Sequence, residues 1–326
     1  MSDYRLREAG AEEFERFAAT ASNSTVHCRA AYLETLGAAR FRRLLLDRGG
    51  EVVLGTLLPL DAAGAPQAKL HLFSGYQGLL ASPRVASLPV HSRHHEMIEA
   101  TQALLALLDP SCGHMAFRFH PHVEDLRAWQ WFHYHEPALG RFTLDLRYTG
   151  LIEFPPGRSF EDYLGTIRSS KRRQFRLAAR AGLKAEDSRD VDALVHLYGL
   201  TFDRQGIAKD EEELHWVRRI AEEAVARGFG DLLLVRAASG EPASATLFLH
   251  DGRSGIYLFG ANDPRFRNDY SGIYAFVEAL RRCHARGLQW VDVGGINSPE
   301  RGDFKIAFNA APRPFVEARW SRPSTP

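Results

Sequence analysis

The stretch Gly287-Leu-Gln-Trp-Val-Asp-Val-Gly-Gly-Ile-Asn-Ser-Pro-Glu-Arg-Gly-Asp-Phe-Lys-Ile-Ala-Phe308 decides how this chain is read. Trp290, Val291 and Val293 favour extended backbone, so the stretch begins as a short buried strand. Gly294 and Gly295 free the chain where that strand ends. A polar turn follows, and then Lys305, set between Phe304 and Phe308. It is close enough in sequence to fold back toward the strand end. A lone cation beside flexible backbone suits an anionic ligand or a developing negative charge. The plainer alternative is a surface lysine whose stem covers apolar neighbours.

Upstream, Tyr270–Arg286 has helical spacing, with Ile273, Phe276, Val277 and Leu280 on one face and Gly287 as its stop. Asp231–Ala237, Ser244–His250 and Gly255–Gly260 read as three consecutive strands, and Phe315–Trp320 as a last one. Ser159 opens a helix, with Asp162 placed as a capping-box acid. Ser169–Gly182, Asp190–Arg204 and Glu211–Arg227 are further helices. In the first half, Arg42–Asp47 and Glu51–Leu60 form a hairpin around Gly49-Gly50. Leu70–Phe73, Met115–Phe119, Phe142–Leu146 and Thr149–Phe154 read as strands, and His94–Leu108 and Leu126–Phe132 as helices. Each half mixes helices with short strands, so the chain divides into two α/β (α+β) domains, 1–150 and 151–326.

Composition narrows the function. A 326-residue chain with 45% hydrophobic and 25% charged residues is an ordinary globular protein. Its net charge of +1 argues against broad non-specific binding to nucleic acid. Cys28, Cys112 and Cys283 are scattered and odd in number, which argues against a disulfide framework or a cysteine zinc site. The first ten residues lack an apolar core, and no run is long and apolar enough for a transmembrane helix, so a cytoplasmic protein with no membrane span is expected. His91 and His95 share a helical spacing without acidic or cysteine partners, and HExxH is absent, so no metal is expected. G-x-S-x-G, G-x-x-x-x-G-K-[ST] and G-x-G-x-x-G are absent too.

Three further places could carry chemistry. Ser169-Ser-Lys-Arg-Arg-Gln-Phe-Arg176 holds four cations, for phosphate contact or as a solvated face. Arg204 ends a helix, where it either satisfies terminal carbonyls or reaches an anion as a fork. Tyr257 precedes Gly260-Ala-Asn-Asp-Pro264 and a helix start, an arrangement compatible with an anion-binding corner or with an ordinary connection.

Read in order, these residues resemble a family. Arg172-Arg173 precede Gly182-Leu, then Thr201-Phe-Asp-Arg-Gln-Gly206 and Tyr257-Leu-Phe-Gly-Ala-Asn-Asp263. Asp292 with Gly294-Gly295 follows, and finally Asp303-Phe-Lys-Ile-Ala-Phe308. The order is similar to that of FemABX-type aminoacyltransferases and the acetyltransferase-like proteins of the GNAT superfamily. The resemblance implies tandem GNAT-like domains, each a mixed central sheet flanked by helices. It implies an acyltransferase moving an activated acyl or aminoacyl group to an amine, either peptidoglycan-precursor-like or small. Lys305 then stabilises the reacting carbonyl or leaving group, and Arg204, Tyr257, Phe304 and Asn297 bind substrate. Arg172, Arg173, Arg267, Ser271 and Gly272 are the expected donor contacts. The donor is a co-substrate, aminoacyl-tRNA or acyl-CoA, with no tightly bound cofactor. The usual Q/R-x-x-G-x-G/A pyrophosphate loop is incomplete, since Arg267–Gly272 offers one glycine. A non-catalytic GNAT-like binding module is the third reading.

Overall fold

The computed structural model describes residues 3–203, 206 and 209–323, side chains 300 and 301 excepted. Contacts divide it into two compact units, Met1–Arg147 with Pro314–Pro326, and Tyr148–Arg313. The sequence places residues 314–326 with the second half, whereas the described residues 314–323 group with the first unit.

The first unit opens with β1 (Tyr4–Glu8), α1 (Ala11–Thr20), α2 (Ala30–Leu36), β2 (Phe41–Arg48) and β3 (Glu51–Pro59). β4 (Leu80–Ala81), α3 (Pro83–Ala86), α4 (Val90–Leu108), β5 (His114–Arg118) and α5 (Arg127–Trp131) follow. β1-β2-β3-β4 is one antiparallel sheet, and the β2–β3 hairpin turns at the expected glycines. The expected strand at Leu70–Phe73 is a loop. Its backbone is claimed locally, because Tyr32 donates to the Phe73 carbonyl at 2.7 Å and Ser74 Oγ to the His71 carbonyl at 2.8 Å. The core joins Leu104, Leu105 and Leu108 of α4 to Phe117, Phe119 and Trp129, with Ala318 and Trp320.

The chain passes into the second unit along β6 (Thr143–Glu153), one continuous strand where two were expected. α6 (Phe160–Thr166), α7 (Ser169–Arg180), β7 (Lys184–Ser188), α8 (Val191–Asp203) and α9 (Glu211–Arg227) follow. Then come β8 (Gly230–Arg236), β9 (Pro242–His250), β10 (Ser254–Asn262), α10 (Ser271–Ala285), β11 (Trp290–Gly295), α11 (Pro299–Ile306) and β12 (Ala311–Ser321). The strands run β6-β11-β10-β9-β8-β7. All neighbours are antiparallel except β10 and β11, which are parallel. α10 covers β8, β9 and β10 with α7 beside it, and α8 lies on β9 and β10 with α9 beside it.

The sequence accounts for these elements. Ser159 Oγ accepts the Asp162 N–H at 3.1 Å and the Asp162 carboxylate accepts the Ser159 N–H at 2.9 Å, which is the expected capping box. The bonds that the carboxylate accepts from the Ser159 N–H and hydroxyl hold it below its usual range. Asp210 caps α9 through the Glu213 N–H at 2.7 Å, and Gly228 ends that helix in the left-handed region. Phe276, Val277 and Leu280 of α10 are fully buried with Phe248, Val291, Val293 and Phe308. Removing a ring such as Phe276 from that cluster would cost about 3–5 kcal/mol. Among the described residues, no helix is long and apolar enough to cross a membrane.

Candidate active site

The site forms where the β10–β11 ladder ends. The two strands pair over Ser254–Ile256 and Trp290–Asp292 only, after which β10 runs on to Asn262. On its other side, β10 carries a bulge at Leu258, between the pairs Tyr257–Phe248 and Phe259–Leu247. A bulge re-aims backbone where pairing stops. β11 has its own irregularity against β6, between Asp292 and Gly295.

Asp292 fixes that irregularity. Its carboxylate is 2% exposed, accepts the Thr149 hydroxyl at 2.5 Å and accepts the Gly294 N–H at 2.7 Å. A buried carboxylate needs such donors to offset its lost hydration. Gly294 turns at φ 78°, a region that disfavours side chains. The turn presents the Gly295 carbonyl, which accepts from Lys305 Nζ at 3.0 Å. Lys305 comes from the last turn of α11, a helix where sequence suggested only a turn, with Pro299 at its start. A Cβ on Gly294 would lie 3.4 Å from Lys305 Nζ and 3.7 Å from the Tyr257 carbonyl. Ammonium, the Gly295 and Tyr257 carbonyls and a left-handed glycine therefore share one corner.

The other expected residues divide around this corner. Phe304 is half-buried beside Lys305, its ring 5.6 Å from Phe276 and 5.1 Å from Phe308. Lys171 Nζ lies 5.4 Å from the centre of the Phe304 ring. Burial depresses the Lys171 pKa, with nearby Arg168 adding to it and Asp303 opposing. Tyr257 contributes its carbonyl to the corner, while its ring packs between Phe248 and Phe276 with the hydroxyl against Gly260. Burial holds that phenol far above its ordinary range. Asn297 is exposed, but its amide is turned onto the main chain. Its amide accepts the Tyr148 N–H at 2.8 Å and donates to the Tyr148 carbonyl at 3.2 Å, pinning the turn to β6. Arg204 lies outside the described residues.

The donor contacts separate too. Arg172 donates to the Gly165 and Ile167 carbonyls at 2.6 and 2.7 Å, closing the end of α6. Arg173, Arg176 and Arg180 are exposed on α7. Arg267 is exposed before α10, and Ser271 and Gly272 form the first turn of that helix. Tyr270 precedes them at φ 58° in the left-handed region. Sequence reading missed this, because the loop pattern wants glycine there and a tyrosine stands in its place. It also missed the support beneath the loop. Asn262 Oδ1 accepts from Ser244 Oγ at 2.7 Å, and the Asn262 N–H donates to Thr201 Oγ1 at 2.7 Å. A Cβ on Gly272 would lie 2.4 Å from that Asn262 oxygen, so only glycine fits. The first N–H groups of α10 are thereby presented beside a left-handed residue, an arrangement suited to an anion.

A separate cleft of about 480 Å³, lined by Glu153, Arg158, His284 and Arg313 among others, does not include Lys305. It lies toward the start of β11, where Glu153 pairs with Trp290.

Residues 165–305 match the family described as an acetyltransferase (GNAT) domain, a segment that ends on Lys305. Among solved structures, a tandem GNAT protein from the clavulanic acid biosynthesis pathway aligns over 99% of this chain and 100% of its own, with a TM-score of 0.56 at 13% identity. The fold is that of tandem GNAT domains. FemX aligns with a TM-score of 0.67 at 14% identity, over 96% of each chain. A conserved protein of unknown function from Bacteroides thetaiotaomicron aligns with a TM-score of 0.56 at 8% identity, over 98% of this chain and 99% of its own. At these identities the likeness is one of fold. No curated protein matches the sequence. Residues 165–305 thus match a GNAT family model, and the likeness to FemX is one of fold.

Proposed function

We propose that this chain is an N-acyltransferase in which Lys305 serves the reacting carbonyl. The observation that carries the reading is the Lys305 ammonium held against the Gly295 carbonyl where the parallel ladder ends. An activated ester or thioester carbonyl bound in that corner would develop negative charge as a neutral amine attacks it. The C–N bond forms, the bond from carbonyl carbon to the leaving oxygen or sulfur breaks, and the amine proton passes to water or to the leaving group. Lys305 stabilises the developing charge, and catalysis otherwise rests on bringing the two substrates together. The acceptor is an amine, either on a peptidoglycan-like precursor, which would place the protein in cell-wall biogenesis, or on a small molecule.

Two donors compete. An aminoacyl-tRNA needs a basic track, and the use of Arg172 in closing α6 leaves Arg173, Arg176 and Arg180 exposed on α7 for that purpose. An acyl-CoA needs a phosphate-binding corner, and the left-handed Tyr270 before Ser271 and Gly272 favours this second reading. Turnover is measured with each donor against a panel of amines. Lys305→Ala should lower turnover about 10²-fold, the scale of losing an oxyanion donor. Unchanged turnover in this variant would sink the assignment. No turnover and no thermal shift with either donor would instead favour the non-catalytic binding module.

A further inference from the structure

The first unit exposes an aromatic stack that acyl transfer does not use. Trp131 closes α5 and Tyr134 follows in the next turn. Their rings lie 4.2 Å apart and within 2° of parallel. The Arg141 guanidinium sits 4.7 Å from the centre of the Tyr134 ring. Arg141 is fixed there, since its Nη2 donates to the Gln130 carbonyl at 3.0 Å. His135 stands edge-on to both rings, 5.6 Å from Trp131 and 5.2 Å from Tyr134. Tyr134 is thus already stacked, and Trp131 is the more exposed ring of the pair.

Burial and charge say what that end would accept. Trp131 is 54% exposed and Tyr134 45%, although ring area of this size is normally buried. Beside them lies a cavity of about 440 Å³, lined by Gln130, Trp131, Tyr134, Arg141, Phe142 and Leu144. The lining holds a guanidinium and an amide and no carboxylate. A planar ring would stack on the exposed indole, in a cavity that the Arg141 guanidinium also lines. The missing carboxylate and the adjacent Arg141 favour a ring that carries phosphate. We infer that the Trp131–Tyr134–Arg141 stack binds a nucleobase, of an unpaired strand or of a free nucleotide, with Trp131 as the stacking face and Arg141 near the phosphate. Base–aromatic stacking tolerates any base, so little sequence preference is expected.

The test uses the full chain, with a short labelled single-stranded oligoadenylate followed by fluorescence anisotropy and AMP followed by calorimetry. The wild type should bind the oligoadenylate. Trp131→Ala should weaken binding about tenfold or more, whereas Trp131→Phe, which keeps a ring, should stay within about threefold. Arg141→Gln should weaken binding and flatten its salt dependence. Binding of both ligands assigns a nucleotide site, and binding of the oligoadenylate alone assigns a strand site; each supports the inference. No binding, equal binding of an abasic strand, or unchanged affinity in Trp131→Ala overturns it. Binding of a β-linked oligosaccharide in place of the oligoadenylate overturns it too. Circular dichroism of each variant separates misfolding from lost contact. Lys305→Ala should bind oligoadenylate like the wild type, so this inference and the acyl-transfer reading fail separately.

Discussion

Two corners of the second unit turn through the same left-handed region of backbone and are built from opposite materials. Gly294, where β11 ends, reaches φ 78° at little cost because it has no side chain. Tyr270, where α10 begins, reaches φ 58° with a full phenol attached. A tyrosine in that region costs about 1–2 kcal/mol, so its surroundings must hold it there. They do, because Tyr270 packs against two apolar clusters of the unit. The first corner is specified by residue type and the second by tertiary contact. The difference matters for function, since the first corner faces Lys305 and the second presents the N-terminus of α10.

The largest break in this comparison is expected at Gly294. Gly294→Ala places a methyl 3.4 Å from Lys305 Nζ and forces a side chain into the left-handed region. Part of that strain should appear as displacement of the Gly295 carbonyl that holds the lysine. Turnover should drop about tenfold, matching a barrier raised by roughly 1.4 kcal/mol, with the fold retained. Steady-state kinetics beside a thermal melt check this. Wild-type turnover would mean the corner has no part in the reaction.

Gly272→Ala probes the second corner. The methyl would press on Asn262 Oδ1, which the Ser244 hydroxyl already holds. If the donor phosphate sits on the first turn of α10, KM for the donor should rise about tenfold while kcat changes little, the signature of lost uniform binding. A fall in kcat at constant KM would remove the donor from this corner.

Much of this was legible in sequence. The Ser159–Asp162 cap, the α9 limits, the buried face of α10 and the strand before Lys305 all depend on local chemistry, and local chemistry is what sequence displays. The helical state of residues 299–306 was not legible. Ser298-Pro299-Glu300 signals a helix start, but Gly302 four residues on argues against it. Tyr270 was not legible either, because motif reading assigns left-handed backbone to glycine. The uses of Arg172 and Asn297 were hidden for another reason. Their partners are main-chain carbonyls and an N–H, which every residue carries, so nothing in the sequence marks them. Asp292 was visible as part of an ordered set, but its work of pinning Gly294 appears only when Thr149 is brought across from β6.

Asn297→Ala tests how far the first corner relies on that pinning. It removes two hydrogen bonds to Tyr148, each contributing about 0.5–1.5 kcal/mol. Urea unfolding should show a loss of about 2 kcal/mol. Turnover should fall less than in Gly294→Ala, because the Ile296 N–H still reaches the Tyr148 carbonyl at 3.0 Å. A larger kinetic effect than that of Gly294→Ala would return Asn297 to the substrate.

The smallest effect is the most direct measure of the contrast. Tyr270→Ala removes the ring and keeps a Cβ in the left-handed region, whereas Tyr270→Gly removes both. The two variants lose the same packing, so the difference between them isolates the backbone term. Tyr270→Gly should be the more stable by about 1 kcal/mol, despite the greater entropy of glycine in the unfolded chain. It should also keep donor KM at or below that of Tyr270→Ala, because a glycine holds the turn without help from the core. Equal stabilities would mean that the turn relaxes once the ring is gone. In that event the phenol imposes the geometry of the donor corner, and the tyrosine replaces the usual glycine in shape as well as in position.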